Sequence, residues 1–451
     1  MKRLTPMTGL PPYASPDELR FLSAPDPDAV MLDDMLGLIG RARRRGPRKA
    51  CGGALRVLLL GYVGAGNTGA DVRAIEVIRQ LRQLLADRPV TLTLLGIGEL
   101  FDHPELAGVA RFAPSSRYLP AALDAALPDY DLVLNVEGST YTSRFSDSLA
   151  GLLIGGVSLA DAHGALACAY GVDAGTMTAR LERFVASSVS GATVFCRSDA
   201  ALARLRAFGL DPLPGADPAW RYRAAAHAAQ TLPPRFAALC PNNPYCWPVV
   251  TDARRALALA GAGGDSPLRH GPFSFYSWDA SRARRFEQYA DGYAMLAQTL
   301  RRHGIEPVLV AMERGDVAAC EAIGARLPAP ASIVARPRAS IDAVLGTIAR
   351  ASCVVTTRYH AALFAMAHAV PVFGVSMDER IAQLFDDAGI DECSVDCDDP
   401  LFAQRVLERI EIDALGAPQR LVRAYAALAA RQTGRLDAMG AHLRAALDDA
   451  D

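Results

Sequence analysis

Residues 353–376 read CVVTTRYHAALFAMAHAVPVFGVS, and this stretch decides the fold. Cys353-Val354-Val355 is a short apolar run of the kind a buried strand shows. Residues 360–368 continue it as a small apolar helix, and Val370-Pro371-Val372-Phe373-Gly374-Val375 reads as the next buried strand. Strand, helix and strand in succession imply a βαβ unit in a parallel sheet.

The same alternation runs outward from this unit. Toward the N-terminus, 341–350 reads as helix, 332–334 as strand, 317–327 as helix, 307–310 as strand, 286–303 as helix and 236–240 as strand. A separate series precedes it: strand 55–60, a Gly-rich turn, helix 71–86, strands 90–95 and 132–135, helix 149–167, strand 192–196 and helix 198–208. Between the two series lies the Ala-rich segment 222–234, ending in Pro233-Pro234, which is taken as an interdomain boundary. The tail 401–447 is rich in Ala and Arg and reads as helix. The expected class is α/β, with two Rossmann-like domains facing a cleft and a C-terminal helical segment. Its divisions are an N-terminal extension at 1–53, partly disordered, domains at 54–225 and 235–398, and C-terminal helices at 399–451.

A chain of 451 residues fits that plan. Hydrophobic residues make up 51% and charged residues 21%, an ordinary mixture for packed cores. Lys plus Arg is 47 and Asp plus Glu 49, so the net charge is −2, which argues against a dedicated nucleic-acid binder. The cysteines number nine, scattered from Cys51 to Cys397, without metal-finger spacing. They read as reduced thiols of a cytoplasmic protein, mostly small buried hydrophobes. Pro11, Pro12 and Pro16 interrupt the N-terminus, so no signal peptide is expected, and no stretch is apolar for long enough to span a bilayer. Residues 31–39 suit one short amphipathic helix. The basic run Arg41-Ala42-Arg43-Arg44-Arg45, then Pro47-Arg48-Lys49, reads as a solvated extension or as a contact for an acidic partner or membrane surface.

Ligands in such sheets sit at the carboxyl ends of strands, which selects the loops to inspect. Thr356-Thr357-Arg358-Tyr359-His360 follows a strand and opens a helix. Its guanidinium suits a carboxylate or phosphate, and its histidine can carry a proton. The glycines of Gly61-Tyr62-Val63-Gly64-Ala65-Gly66-Asn67-Thr68-Gly69 precede another helix, as a tight turn or an anion-binding amide cluster. Arg197-Ser198 also stands at a strand end, where Ser198 suits a helix cap. Ala216-Asp217-Pro218 reads as a turn or a site carboxylate. Glu137, Ser139, Arg144 and Asp147 offer polar groups for sugar hydroxyls, and Trp247 and Trp278 lie in aromatic segments suited to stacking or to filling a gap. His163 and His368 read as core histidines.

Together these segments resemble the polysaccharide pyruvyl transferase family. Thr357–Ala367, followed by Val370–Ser376, is similar to its Arg-Leu-His segment, with Tyr359 in place of Leu. Gly66-Asn67-Thr68-Gly69 resembles its Gly-Asn-x-Gly-Asp-Glu, and Arg197-Ser198 and Ala216-Asp217-Pro218 resemble two further steps. Val136-Glu137-Gly138 stands where the family has a glycine triplet, and Arg380 lies near the place of its usual Lys. The resemblance implies a GT-B-like cleft, with the acceptor on the 54–225 side and the donor on the 235–398 side. It implies transfer of the enolpyruvyl group of phosphoenolpyruvate to a sugar as a ketal, with release of phosphate. The expected roles are His360 and Asp217 in catalysis, and Arg358, Arg197 and Tyr359 at the donor. Gly64, Gly66, Asn67, Gly69, Glu137 and Ser139 are expected at the acceptor. No cofactor or metal is expected, phosphoenolpyruvate being a co-substrate, and the partner is a sugar or glycolipid. Peripheral membrane association and a homo-oligomer stay open. The alternatives are a nucleotide-sugar glycosyltransferase and a catalytically inert carbohydrate-binding relative.

Overall fold

Strand β1 (Leu55–Val63) is apolar at successive residues because both its faces are covered, and Val57, Leu58, Leu59 and Leu60 are fully buried. A computed structural model describes residues 16–46, 53–96, 101–113, 119–224, 232–270, 273–336 and 338–450. Pro47-Arg48-Lys49, Cys51 and residues 225–231 of the expected boundary lie outside the described residues. Around β1 gather β2 (Val90–Gly96), β3 (Ala110–Phe112), β4 (Leu132–Asn135), β5 (Leu166–Val172), β6 (Thr193–Cys196) and β7 (Leu213–Pro214). They form a parallel sheet in the order β3-β2-β1-β4-β5-β6-β7.

The second sheet starts at β8 (Phe236–Cys240). After a small antiparallel hairpin, β9 (Val249–Thr251) and β10 (Ser274–Tyr276), it takes in β11 (Glu306–Ala311), β12 (Ser332–Ala335), β13 (Cys353–Thr356), β14 (Val372–Ser376) and β15 (Ser394–Asp396). Its order is β12-β11-β8-β13-β14-β15, again parallel throughout. Strand order reverses between β1 and β4 in one sheet and between β8 and β13 in the other. Those reversals are where crevices open beyond the strand ends.

The structure corrects one expectation. Residues 149–167 are not one helix: Asp147–Ala162 is helical, Gly164 turns the chain at φ 89°, and β5 follows. Its small apolar residues, Ala-Cys-Ala-Tyr-Gly-Val, continue the helical composition, so only Gly164 marked the break. The N-terminal extension is packed over its described part, although Arg41, Arg43, Arg44 and Arg45 of the basic run stay exposed. Helices Pro16–Ser23 and Pro27–Arg45 form there, the second capped by Asp26 with Pro27 in its first turn and arginines in its last. Its stripe Met31, Leu32, Met35, Leu38, Ile39 and Ala42 is buried with the Asp147–Ala162 helix. Glycines make the approach close: a Cβ on Gly151 would lie 2.1 Å from Leu32 and one on Gly155 2.2 Å from Met35.

At the other end, helix Pro418–Ala450 joins both domains. Tyr425 accepts a hydrogen bond from the Val372 amide at 3.1 Å, and Gln80 donates to the Leu436 carbonyl at 3.0 Å. The eight described cysteines are free and buried. Among the described residues no helix is long and apolar enough to cross a membrane.

Met35 is fully buried. Met35→Ala is expected to lower unfolding stability by ~2–5 kcal/mol, read by chemical denaturation. A loss below about 0.5 kcal/mol would mean that the extension does not share the domain's core.

Candidate active site

The two strand-order reversals face each other across one cleft. A small cavity of ≈ 100 Å³ is walled by Tyr62 beyond the core of β1, Glu137 and Ser139 after β4, Trp247 after β8, Glu313 after β11, and Arg358 and His360 after β13. A larger cleft of ≈ 930 Å³ adjoins it and shares Tyr62, Trp247, His270, Glu313 and Arg358. Asn67, Gly69, Tyr359 and Arg380 also line the small cavity, whereas Gly64 and Gly66 line the larger one.

Behind the small cavity lies a buried charge cluster. The Asp217 carboxylate is 0% exposed and meets Arg73 Nη1 at 2.6 Å, Arg197 Nη1 at 2.8 Å and His360 Nε2 at 3.3 Å. Arg197 also reaches Asp173, with Nη2 2.9 Å from Oδ2, while Arg73 donates to the carbonyls of Val136, Tyr170 and Gly171 at 2.9 Å. Two guanidiniums thus face two carboxylates, and each is fixed by further contacts, which offsets much of the desolvation of a buried charge. Burial alone would push Asp217 up, but Arg73, His360 and Arg197 outweigh it and hold the carboxyl well below its ordinary range. His360 shifts the other way: burial disfavours the imidazolium and lowers its pKa, with Asp217 opposing. At 3.3 Å the His360–Asp217 contact is an ion-pair approach off the hydrogen-bond direction. Gly69 makes room for this ring, since a Cβ there would lie 2.0 Å from His360 Nδ1.

This placement corrects the role expected of Arg197. Its guanidinium is enclosed by Asp173 and Asp217, with Tyr359's ring centroid 3.9 Å from Cζ, and it does not line the cavity. It supports the site from behind, and so does Asp217. Tyr359 is buried and packs between this support and the cavity. The Gly-rich loop is tied down by its own contacts, although Asn67 and Gly69 line the small cavity and Gly64 and Gly66 the larger cleft. The Gly64 amide bonds the Asp71 carboxylate, the Thr68 amide the Met312 carbonyl and the Ala70 amide Asn67 Oδ1, so these donors are taken. The loop clasps the other domain, helped by Asp71 with Arg336 at 2.8 Å and Asn67 with Glu313 at 3.2 Å. Burial pushes the Asp71 carboxyl up to about 6 despite the Gly64 amide and Arg336.

Two cationic groups reach the small cavity. Arg358 holds Asp316 through Nε and Nη2 and meets Glu313 at 2.9 Å. Burial raises Asp316 to about 6 while Arg358 opposes the shift. Arg380 pairs with Asp378 at 2.7 Å and donates across the cleft to Ser139 Oγ at 2.9 Å. Arg73, Asp173, His270, Glu313 and Asp316 are site residues that the sequence reading missed. Glu313 and Asp316 follow a strand end, so the rule that selected Arg358 reaches them too. Arg73 sits within a regular helix, Thr68–Leu84, with no local mark of its role.

The family profile described as polysaccharide pyruvyl transferase matches residues 83–379. The chain therefore belongs to the polysaccharide pyruvyl transferase family. No curated protein matches it. Among solved structures, a protein assigned as a UDP-N-acetylglucosamine 2-epimerase from Listeria monocytogenes aligns with a TM-score of 0.55 at 9% identity, covering 88% of this chain and 98% of that one. A trehalose 6-phosphate synthase from Burkholderia multivorans aligns with a TM-score of 0.51 at 11% identity, with the same coverage. Both share the two-domain GT-B fold with this chain, at identities that speak for the fold alone.

Asp217→Asn leaves two buried guanidiniums facing one carboxylate. The expected cost is ~3–5 kcal/mol of unfolding free energy. Because the folded pKa is depressed, this contribution is complete above the unfolded carboxylate value of about 4 and fades only in stronger acid. A loss below about 1 kcal/mol at neutral pH would contradict the arrangement.

Proposed function

We propose that this member of the polysaccharide pyruvyl transferase family moves the enolpyruvyl group of phosphoenolpyruvate onto two hydroxyls of one sugar, forming a cyclic ketal and releasing phosphate. The observation that carries the reading is His360. It stands at the wall of a small cavity, backed by the buried Asp217 and flanked by Arg358 and Arg380, in the segment that carries the family motif.

Phosphoenolpyruvate brings a carboxylate and a phosphate, and guanidinium groups suit both. Arg358 and Arg380 are assigned to them. His360, protonated, gives its proton to the methylene carbon, which becomes a methyl group and leaves an oxocarbenium-like centre at C2. A sugar hydroxyl adds there, phosphate leaves, and a second hydroxyl closes the ring. One hydroxyl proton replaces the proton that His360 gave; the other departs with phosphate. Atoms and charge balance without an oxidant. Asp217 is the positioning group for the imidazole, and its charge and the donor's favour the imidazolium that burial disfavours. Trp247, Tyr62 and Phe145 offer faces for an acceptor ring, and Glu137 and Ser139 offer hydrogen-bonding groups.

His360→Gln is expected to lower acceptor-dependent phosphate release from phosphoenolpyruvate by ~10²–10⁴-fold without changing the melting temperature. The assay uses purified protein with lipid-linked and nucleotide-linked sugars, and a matching ketal mass on the acceptor. Unchanged turnover would remove His360 from the chemistry. Binding of a nucleotide sugar with no binding of phosphoenolpyruvate would favour a glycosyltransferase, as the shared fold allows.

A further inference from the structure

Closing a ketal moves more than one proton. His360 accounts for delivery to carbon, and the hydroxyl that adds to C2 needs an acceptor of its own. The small cavity contains a second histidine, on a different element and in a different electrostatic setting.

His270 belongs to the segment between β9 and β10, outside both parallel sheets. It lines the small cavity and the larger cleft together. Its Nε2 lies 3.1 Å from the Tyr62 hydroxyl and its Nδ1 3.0 Å from the Tyr276 hydroxyl. Tyr62 comes from the other domain, and its ring lies 9° from parallel with the imidazole. Trp247 stands edge-on to both His270 and Tyr276, with centroids 5.3 Å away in each case. The imidazole is thus held by a phenol at each nitrogen, and in its neutral form one nitrogen donates while the other accepts.

The two histidines differ in what faces them. His360 has the Asp217 carboxylate at Nε2, which opposes the lowering that burial imposes on its pKa. His270 has phenols at both nitrogens. Tyr62 faces it from the Gly-rich loop, Tyr276 from β10, Trp247 from the loop after β8, Glu313 from the loop after β11, and Arg358 from beyond β13. Burial lowers its pKa, with Glu313 opposing and Arg358 adding to the shift. Burial thus favours the neutral ring, the form a general base uses.

We infer that Tyr62 and His270 form the second proton-transfer unit of this site: the acceptor hydroxyl passes its proton to the Tyr62 oxygen as the Tyr62 proton moves to His270 Nε2. The bond formed is between the sugar oxygen and C2, and the bond then broken is that between C2 and the phosphate oxygen. The imidazolium left at His270 returns its proton to the departing phosphate, and the hydroxyl that closes the ring restores His360. Both residues line the small cavity and the larger cleft, where the two meet. This inference rests on the pyruvyl transfer reading.

The test is the pH profile of ketal formation by wild type, His270→Gln and Tyr62→Phe, each with its melting temperature. Wild-type kcat falls on the acid side as His270 takes a proton, and on the basic side as His360 loses one. His270→Gln is expected to lower kcat ~10²-fold or more and to erase the acid limb. Tyr62→Phe keeps the ring, removes the relay oxygen and lowers kcat in the same direction; it decides the matter if His270→Gln does not fold. An acid limb that persists in a folded variant, or a change confined to KM, gives these residues a structural role and overturns the inference. A wild type that makes no ketal at all overturns the pyruvyl transfer reading, and this unit with it. A wild type that makes ketal, with both variants within about threefold of it, overturns the unit alone.

Discussion

One buried carboxylate organises the molecule. Asp217 stands at the end of the first sheet's last crossover and pairs with Arg73, Arg197 and, from the second domain, His360. Taking such charges out of water costs several kcal/mol each unless their partners are fixed. The partners are fixed by the sheet itself. Arg73 is pinned by carbonyls following β4 and within β5, and Arg197 by Asp173 just beyond β5. Correct assembly of the first domain is therefore a condition for orienting a side chain that belongs to the second. Tyr359 over Arg197 and Gly69 beneath His360 extend the same coupling across the cleft.

Periodicity made the two parallel sheets legible, because strands covered on both faces are apolar without alternation and short helices separate them. It failed where composition did not change, as at Gly164 between a helix and a strand of equally small residues. It marked the helix at 31–39 but not the partner of its apolar stripe, which lies more than a hundred residues away. Of the site, strand-end position revealed Arg358, His360 and Glu137. That rule says which loop reaches the cleft but not which way a side chain points. Arg197 also stands at a strand end, yet it turns away to Asp173 and Asp217. Arg73 and His270 had no local mark. One is an ordinary helical arginine until Asp217 meets it, and the other lies in a hairpin segment outside the α/β alternation.

The fold is shared with a protein assigned as a UDP-N-acetylglucosamine 2-epimerase and with a trehalose 6-phosphate synthase, so the architecture leaves the chemistry open. Chemistry lives in how the crevice is lined. Here the lining sets one histidine against a buried carboxylate and another between two phenols, with arginines held by Asp316 and Asp378 beside them. The domain clasp of Thr68, Asn67 and Asp71 on the second domain keeps both histidines in one cavity.

The central claim is that a proton reaches the methylene carbon of phosphoenolpyruvate within this cleft. The most direct measurement runs the reaction in deuterium oxide and reads the ketal by mass and nuclear magnetic resonance. The account predicts a ketal whose methyl group carries solvent deuterium, formed only with an intact His360. A ketal methyl free of solvent deuterium, or the same deuterium incorporation by His360→Gln, would contradict it.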